Sequence, residues 1–374
     1  MDDSRVVTPP YVAGPLRLRP FRGLMLSPGR IGDPASARAF ARPYRDVARR
    51  LSRWEEQGQV HHDADVAVYL HEYTSGGITV RGLVGALDLS SRAHNRNERA
   101  VYPHEGIHPL QVAELADRMV EMQLNPAPIL LVHRGHAEVQ HLVKGLLSTR
   151  PDHEFTDRGE QQHRIWAIRD PAVLRALDDA LAGSRALIAD GHHRYAAYLR
   201  LQDTAPGGSY DFGLAMLVDQ DDTPLFLGAI HRVLEGTTLA ELETAASTTG
   251  ADFRYTTETE AVSSLDQQTL VATDGERWAT LTLTVPRNRA AVEVVHEAVV
   301  AALPHEPRRI GYHHSVEDTL AHVARGPAVA ILLPAPDFDL VLRIVAADRL
   351  LPEKATSFQP KPHIGVLIRS LRDG

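Results

Sequence analysis

The hydrophobic pattern of the chain contains short apolar runs that are typical of strands. Residues 66–70 and 78–89 are rich in apolar and β-branched side chains, and Gly76 and Gly77 separate them, which predicts two strands joined by a turn. Further runs predict strands at 128–132, 186–189, 214–218, 224–233, 269–272, 280–285, 328–333 and 364–368. The runs on either side of residues 220–222 are expected to pair as a hairpin.

Segments with apolar residues at helical spacing lie between these runs. They predict helices at 44–54, 112–122, 171–181, 194–201, 239–246, 292–303, 316–324 and 340–347. Strands that alternate with helices favour an α/β fold with a mixed sheet. After Gly236 the composition shifts towards Thr, Ala and Glu, so we predict an α/β domain over residues 1–235 and an additional α+β region over residues 236–374.

Composition restricts the kinds of function. The formal net charge is -8 with histidine neutral, so the chain lacks the positive field that attracts nucleic acid, and a phosphate site requires a local group of donors. The absence of cysteine excludes disulfides, thiolate zinc sites and a cysteine nucleophile. No secretory pattern and no bilayer-spanning apolar stretch occur, so we expect a cytoplasmic, soluble protein without a membrane partner.

The strongest candidate site is the predicted strand, turn and helix at residues 188–195. A sharp turn at Gly191 places backbone N–H groups at the start of a helix, where an anion binds favourably. Imidazole and guanidinium side chains at the same turn add further donors. The candidate ligand-binding residues are Asp190, Gly191, His192, His193 and Arg194. A capped helix with two exposed histidines is the alternative interpretation.

Several segments resemble one family of bacterial proteins, known only as domain of unknown function 1015. The resemblance is strongest at residues 188–197, which read IADGHHRYAA. Other family-like segments follow the same order along nearly the whole chain: RPFRG at 19–23, YPHE at 102–105, the strand at 227–233 that includes His231 and Arg232, and LPEKATSFQPKP at 351–362. The sequence departs from the family at Ala355, where Ser is usual, at Gly106, where Thr is usual, and at PYRD in 43–46.

The turn at residues 190–194 is also similar, over a short stretch, to the phosphate-binding motif of the ParB and sulfiredoxin superfamily, which includes free-serine kinases. This resemblance implies a ParB/sulfiredoxin-like nucleotide-binding core in which the motif holds the phosphates of ATP or ADP. It also implies a Mg²⁺ ion, for which Asp190 is the candidate ligand, and a carboxylate that accepts a proton from the acceptor hydroxyl. Such a site mainly positions reactants and neutralises charge.

Two further segments supply candidate site residues. Glu105 is the candidate base, because it lies in a family-like loop ahead of a predicted helix; a carboxylate near a helix dipole is the alternative interpretation. His104 and His193 complete the candidate catalytic set. A Pro-bounded loop near the C-terminus offers more phosphate donors, unless it is a solvated basic loop: Lys354, Thr356, Ser357 and Lys361. Tyr312, His313 and His314, together with the pair at 231–232, are weaker candidates.

Other common chemistries lack their sequence motifs. The histidine pairs at 192–193 and 313–314 do not have the i, i+4 spacing that places two imidazoles on one helical face, so a structural zinc is not predicted. No phosphate-binding P-loop, dinucleotide-binding glycine motif or nucleophile elbow occurs.

These observations lead to the hypothesis of a nucleotide-dependent kinase that transfers phosphate to the hydroxyl of a small, serine-like metabolite. The expected partners are that metabolite and a nucleotide, nucleic acid is not expected, and a homodimer is left open. One alternative is a non-catalytic ParB-like regulator that binds CTP or ATP. Another is a biosynthetic enzyme that binds a phosphorylated or carboxylated metabolite and uses His192 or His193 as acid and base.

Overall fold

A computed structural model describes residues 6–41 and 47–372, and residues 43–46, where the sequence departs from the family, lie outside them. The chain divides into two compact units. The second unit is Phe226–Gln359, and the first comprises the chain on either side of it. The boundary predicted after residue 235 coincides with the end of a strand within the second unit.

Among the described residues, twelve strands and six helices of the first unit precede the second unit along the chain. In chain order they are β1 (Leu18–Arg19), β2 (Gly23–Leu26), β3 (Val60–His62), β4 (Val68–Ser75), β5 (Ile78–Asp88), β6 (Val101–Tyr102), β7 (Leu124–Asn125), β8 (Ile129–His133), β9 (His153–Thr156), β10 (Gln162–Ile168), β11 (Ala186–Asp190) and β12 (Phe212–Asp219). The helices are α1 (Pro34–Ala41), α2 (Val47–Glu56), α3 (Pro109–Met122), α4 (Ala137–Leu147), α5 (Pro171–Leu181) and α6 (His192–Thr204).

Nine of these strands form one mixed sheet. Its order is β6-β11-β8-β12-β5-β4-β10-β9, and β1 pairs with β5. β6 is parallel to β11 and β8 is parallel to β12, whereas the other neighbours are antiparallel. The predicted turn between β4 and β5 is confirmed, with Gly76 at φ 57° and Gly77 at φ 80°, a region in which glycine is favoured. The prediction of a mixed α/β fold is therefore confirmed.

The second unit has its own sheet. Its strands are β13 (Phe226–Gly228), β14 (His231–Glu235), β15 (Asp252–Thr256), β16 (Thr269–Thr273), β17 (Trp278–Thr282), β18 (Arg309–His313), β19 (Ala328–Leu332) and β20 (Ser357–Gln359), and its helices are α7 (Leu239–Thr248), α8 (Glu258–Ser263), α9 (Ala291–Val294), α10 (Val316–Val323) and α11 (Phe338–Ala346). Six strands form an antiparallel sheet in the order β15-β17-β16-β19-β14-β18, and β13 pairs with β20. The final strand, β21 (Ile368–Ser370), pairs with β2 and β7 in the first unit.

Two of the predicted strand assignments are wrong. The runs on either side of residues 220–222 do not form a hairpin: β12 pairs with β5 and β8, and β13 pairs with β20. Both edges of β12 are taken, by β5 and by β8, so no edge remains for β13. The strand predicted at 364–368 instead begins at Ile368. β9, β10 and α4 were not predicted, because their mixed polar and apolar residues give a weak periodic signal.

The core of the first unit fixes the position of α6. β8 is buried along its whole length between β11 and β12, as expected for a central strand covered on both faces. On α6, Tyr195 and Tyr198 are buried, and the Tyr195 hydroxyl donates to the Pro10 carbonyl at 2.9 Å and accepts from the Val12 N–H at 3.1 Å. No described helix combines the length and the apolar character needed to cross a bilayer.

Candidate phosphate-binding site

The sheet topology brings two predicted site segments together. β6 and β11 are parallel neighbours, with Val101 opposite Ala186 and Tyr102 opposite Leu187. Parallel strands end at the same edge of a sheet, so the loop after β6 and the turn after β11 lie side by side there. The first segment carries His104 and Glu105, and the second carries the residues from Asp190 to Arg194, although more than 80 positions separate the two segments.

The turn after β11 depends on Gly191. This residue has φ 94°, and a Cβ atom on it would lie 2.9 Å from Arg194 Nη2 and 3.1 Å from Ile129 Cγ2. Glycine is therefore required both for the backbone conformation and for the space. Gly191 is also the N-cap of α6, and it has no side chain that could accept from the first N–H groups of the helix. N–H groups at a helix N-terminus favour an anion.

A charged group lies beside this turn. Asp190 Oδ2 accepts from Arg194 Nη2 at 2.5 Å, Asp190 Oδ1 lies 2.5 Å from Lys361 Nζ, and Arg194 Nη1 donates to the Pro128 carbonyl at 2.8 Å. Burial opposes ionisation of Asp190, but the charges of Arg194 and Lys361 outweigh it and hold the pKa of Asp190 below its usual value. The turn thus has two cationic side chains, and that of Lys361 is 42% exposed.

Two histidines tie this turn to the loop after β6. The His104 N–H donates to His192 Nε2 at 3.3 Å, and their ring centroids lie 4.5 Å apart. Both rings are buried, and burial lowers the pKa of His104 to about 4 and the pKa of His192 well below its usual value. The two imidazoles are therefore neutral at pH 7. Because His192 Nε2 accepts a hydrogen bond, the proton of its ring is on Nδ1.

His193 makes a similar connection to α3. The N–H of His108, the N-cap residue of α3, donates to His193 Nε2 at 3.0 Å, and the two rings stack with their centroids 5.9 Å apart. Glu105 lies in the connected loop, with Oε1 3.7 Å from His104 Nε2 and a side chain that is 16% exposed. The structure thus brings Glu105 and His104 to the same edge of the sheet as the turn.

Three residues of the predicted C-terminal donor group belong to the second unit, whereas Lys361 belongs to the first. Lys354 Nζ lies 5.0 Å from the centroid of the Tyr312 ring, a cation–π distance. Ser357 is buried at the start of β20, where its Oγ accepts from Gln359 Nε2 at 3.1 Å, and Thr356 is partly buried just before it. Lys354 and Ser357 therefore both have local partners within the second unit.

The weaker candidates in the second unit also take part in local networks. His231 Nδ1 accepts the Leu333 N–H at 3.1 Å. The fully buried Arg232 lies over the Tyr312 ring, with Cζ 4.8 Å from the ring centroid. His313 Nε2 lies 2.7 Å from Nδ1 of His322, a residue of α10.

A second polar group in the first unit, which we call the Asp157 cluster, consists of Asp157, His163 and His363 and was not predicted from the sequence. Asp157 Oδ2 lies 3.0 Å from His163 Nε2 and 2.5 Å from His363 Nδ1. These residues come from β10, from the turn before it and from the C-terminal segment, so no short motif connects them. The one feature of the sequence that could have indicated this cluster is a histidine within the otherwise alternating strand β10.

A Mg²⁺ ion at Asp190 would need free carboxylate oxygens, because Mg²⁺ prefers oxygen ligands. Both oxygens of Asp190 form ion pairs with cationic side chains, and this charge opposes a further cation. Asp190 in this arrangement does not fit the ion. Among the described residues, the groups of three or more potential ligands lie elsewhere.

Comparisons with known proteins give one family match and several fold matches. The family model described as a protein of unknown function (DUF1015) matches residues 18–305. A comparison with curated proteins finds no significant match. Among solved structures, a free serine kinase in complex with AMP is 17% identical to this chain, with a TM-score of 0.39. The match covers 71% of this chain and 88% of the kinase chain.

Two other solved structures give similar values. SbnI from Staphylococcus aureus, truncated at its C-terminus, is 14% identical with a TM-score of 0.42 and covers 72% of this chain and 83% of its own. A conserved hypothetical protein from Pyrococcus furiosus is 14% identical with a TM-score of 0.38 and covers 71% of this chain and 92% of its own. These likenesses concern the fold alone.

Proposed function

Because this chain belongs to the DUF1015 family of proteins of unknown function, its activity has to be inferred from its own site, and we propose that it is a nucleotide-dependent kinase that phosphorylates the hydroxyl of a small, serine-like metabolite. One observation carries the proposal. The parallel pairing of β6 and β11 places a carboxylate, Glu105, at the same sheet edge as a helix N-terminus that is flanked by Arg194 and Lys361.

The turn supplies the groups that a phosphate requires. The N–H groups at the start of α6 favour an anion, and guanidinium and ammonium groups form strong, charge-assisted hydrogen bonds with phosphate oxygens. Arg194 and Lys361 now pair with Asp190, so an incoming phosphate competes with that carboxylate for them. In this proposal Asp190 holds both cations in place until the nucleotide, ATP or ADP, binds.

Glu105 is the proposed base, which accepts the proton of the acceptor hydroxyl. His104 is fully buried and its backbone is bonded to His192, so we assign it a positioning role for Glu105. His193 has the same kind of role at the start of α3, because its Nε2 accepts the N–H of His108. A Mg²⁺ ion brought by the nucleotide would neutralise phosphate charge, and no step is assigned to a metal at Asp190.

The test incubates the purified full-length protein with ATP or ADP, Mg²⁺ and a panel of hydroxy amino acids, and detects the phosphorylated product by mass spectrometry. Glu105→Gln is expected to lower turnover by about 10²–10⁴-fold without loss of nucleotide affinity. Lys361→Ala is expected to weaken nucleotide binding by roughly tenfold or more, since a hydrogen bond to a charged group is lost. The exposed residues Glu114 and Lys144 provide the matched controls Glu114→Gln and Lys144→Ala.

The regulator alternative has one specific observation in its favour. Both histidines that follow Gly191 are bonded to backbone N–H groups near α3, so a ligand at the turn would act directly on the position of that helix. Tight nucleotide binding without any product, unaffected by Glu105→Gln, would support this alternative and contradict the kinase. The third alternative has less support, because a neutral, buried His192 with a lowered pKa is a weak base.

A further inference from the structure

The Asp157 cluster is built into the turn between β9 and β10. The Asp157 side chain is fully buried, and its Oδ1 accepts the N–H groups of Gly159 at 2.8 Å and Gln161 at 3.0 Å. Its other oxygen, Oδ2, faces His163 Nε2 and His363 Nδ1. One carboxylate oxygen and two imidazole nitrogens, all within 4.8 Å of one another, therefore converge on one point.

Neighbouring groups fix the orientation of each member of the cluster. His163 is fully buried, and its Nδ1 lies 3.0 Å from Nε2 of the buried His71. His363 donates its backbone N–H to Gln161 Oε1 at 3.0 Å. A Cβ atom on Gly159 would lie 2.6 Å from His363 Cε1, so the missing side chain leaves the space that this ring occupies. Histidines and carboxylates that bind metals are typically held by such outer hydrogen bonds.

We propose that Asp157, His163 and His363 bind a divalent transition-metal ion, with Zn²⁺ as the reference ion. Two imidazoles and one carboxylate form a common ligand set for such ions, and a fourth position remains for water or substrate. A tetrahedral Zn²⁺ with bonds of about 2.0–2.1 Å keeps its ligand atoms about 3.3 Å apart, so Asp157 Oδ2 needs to move away from each imidazole nitrogen by less than about 1 Å. The His363 side chain is 33% exposed and provides the route of entry.

Binding requires a change in protonation that the neighbouring residues permit. Both ligand nitrogens have to be without a proton when they bind the ion. A neutral His163 meets this requirement when its single ring proton is on Nδ1, where His71 Nε2 accepts it, and a neutral His363 meets it when its ring proton is on Nε2. Without a metal, the same atoms form a complete hydrogen-bonded network. A binding experiment therefore has to distinguish this network from a metal site.

A second group in the first unit, His61, Asp63 and His153, has a similar composition but different surroundings. Asp63 Oδ2 accepts the Tyr69 hydroxyl at 2.7 Å, and its Oδ1 accepts from Arg169 Nη2 at 3.1 Å. The positive charge of Arg169 opposes a metal ion there. This group therefore serves as a control for the Asp157 cluster.

The metal site has a consequence for the C-terminal segment. His363 lies two positions after Lys361, and the Lys361 carbonyl accepts from Gln161 Nε2 at 3.1 Å. An ion on His363 therefore fixes the backbone that carries the ammonium group beside Asp190. Only the effect of this restraint on phosphate binding rests on the proposed function, because the metal site stands on its own geometry.

The experiment measures metal binding by the full-length protein after EDTA treatment and dialysis. Zn²⁺ is titrated in competition with a chromophoric chelator. Co²⁺ is added in a separate experiment, because the strength of its visible absorption reports a low coordination number. We expect one Zn²⁺ per chain and a strong Co²⁺ spectrum. His363→Ala is expected to weaken Zn²⁺ binding by about 100-fold or more, whereas His153→Ala, the matched control, is expected to bind as the wild type does.

The partial exposure of His363 makes His363→Ala the variant of choice, and its far-UV circular dichroism in EDTA shows whether the fold is kept. Asp157→Asn is a second variant that removes a ligand, because it replaces the carboxylate by an amide of the same shape. The proposal is overturned if the wild type binds no Zn²⁺, if His363→Ala binds as tightly as the wild type, or if His153→Ala loses the ion. Loss of kinase activity alone would not bear on it.

Discussion

At the scale of single residues, Gly191 combines a left-handed backbone with close contacts on two sides. Gly191→Ala forces a Cβ atom towards Arg194 and Ile129 at φ 94°, so we expect a loss of about 1–3 kcal/mol in the free energy of unfolding. Urea unfolding of the purified variant measures this loss. Gly145→Ala is the control, because apart from the neighbouring residues and the backbone of α4 itself no atom lies within 4 Å of its added Cβ. It is expected to stabilise the protein by about 0.5–1 kcal/mol, and equal effects of both substitutions would contradict this account.

His296 gives a second prediction at this scale. Burial and the Arg232 guanidinium, whose Nε donates to His296 Nε2 at 3.0 Å, lower the pKa of His296 to about 4 from its usual 6.5. Between those pH values the unfolded chain binds a proton that the folded chain does not, so stability is present above pH 6.5 and is lost as the pH falls towards 4.

His296→Gln keeps an acceptor for Arg232 but removes the titrating group. Between pH 7 and pH 5.5, the wild type is expected to lose about 1 kcal/mol more unfolding free energy than this variant. The measurement is urea unfolding at both pH values, with the exposed His305 replaced in the control His305→Gln. Identical pH dependence in the wild type and His296→Gln would show that His296 does not titrate in this way.

Residues that are close in sequence were predicted better than residues that meet through the sheet. The turn at Gly191 is encoded locally, by small residues between an apolar run and a helix, and its position was predicted correctly. Asp157 and His163 are six positions apart, but His363 comes from the far end of the chain. Only the pairing of β9 with β10, together with the hydrogen bonds between Gln161 and residues 361–363, brings these three together, and a single sequence does not contain that information.

At the scale of elements, α5 and α6 differ at their N-termini. The Asp170 side chain caps α5 by accepting the N–H groups of Ala172 and Val173, whereas α6 begins at Gly191 without a side-chain cap. An anion at α6 would therefore take the place of a cap. On addition of ADP, hydrogen–deuterium exchange is expected to slow at the amides of residues 192–195 and to remain unchanged at the start of α5. Protection of both helices, or of neither, would contradict binding at this turn.

Elements were predicted from periodicity, but their partners were not. The apolar runs of β12 and β13 both exist, yet the spacing that suggested a hairpin does not determine which strand each one joins. In the same way, Lys354 and Lys361 are only seven positions apart, but β20 lies between them, and the first belongs to the second unit whereas the other belongs to the first unit. Local patterns therefore gave the elements, and long-range pairing decided which side chains share a site.

At the scale of the whole molecule, we propose that residues 226–359 form a domain inserted into the first unit. Its two ends pair as β13 and β20, with Phe226 opposite Gln359 and Gly228 opposite Ser357, so the chain leaves and re-enters at adjacent points. The six-stranded sheet and its buried residues lie entirely within this segment. A segment with adjacent ends and its own core is expected to fold independently.

Residues 226–359, expressed alone, are therefore expected to unfold cooperatively in urea and to give the far-UV circular dichroism of a mixed α and β protein. The matched fragment is 236–374, the region that the sequence analysis predicted as separate. It lacks β14, which lies between β18 and β19 in the sheet, and its loss leaves an edge of β19 without its partner. We expect no cooperative transition for 236–374. If 236–374 folded as well as 226–359, the pairing of β14 would not be essential and the domain boundary after residue 235 would be the better one.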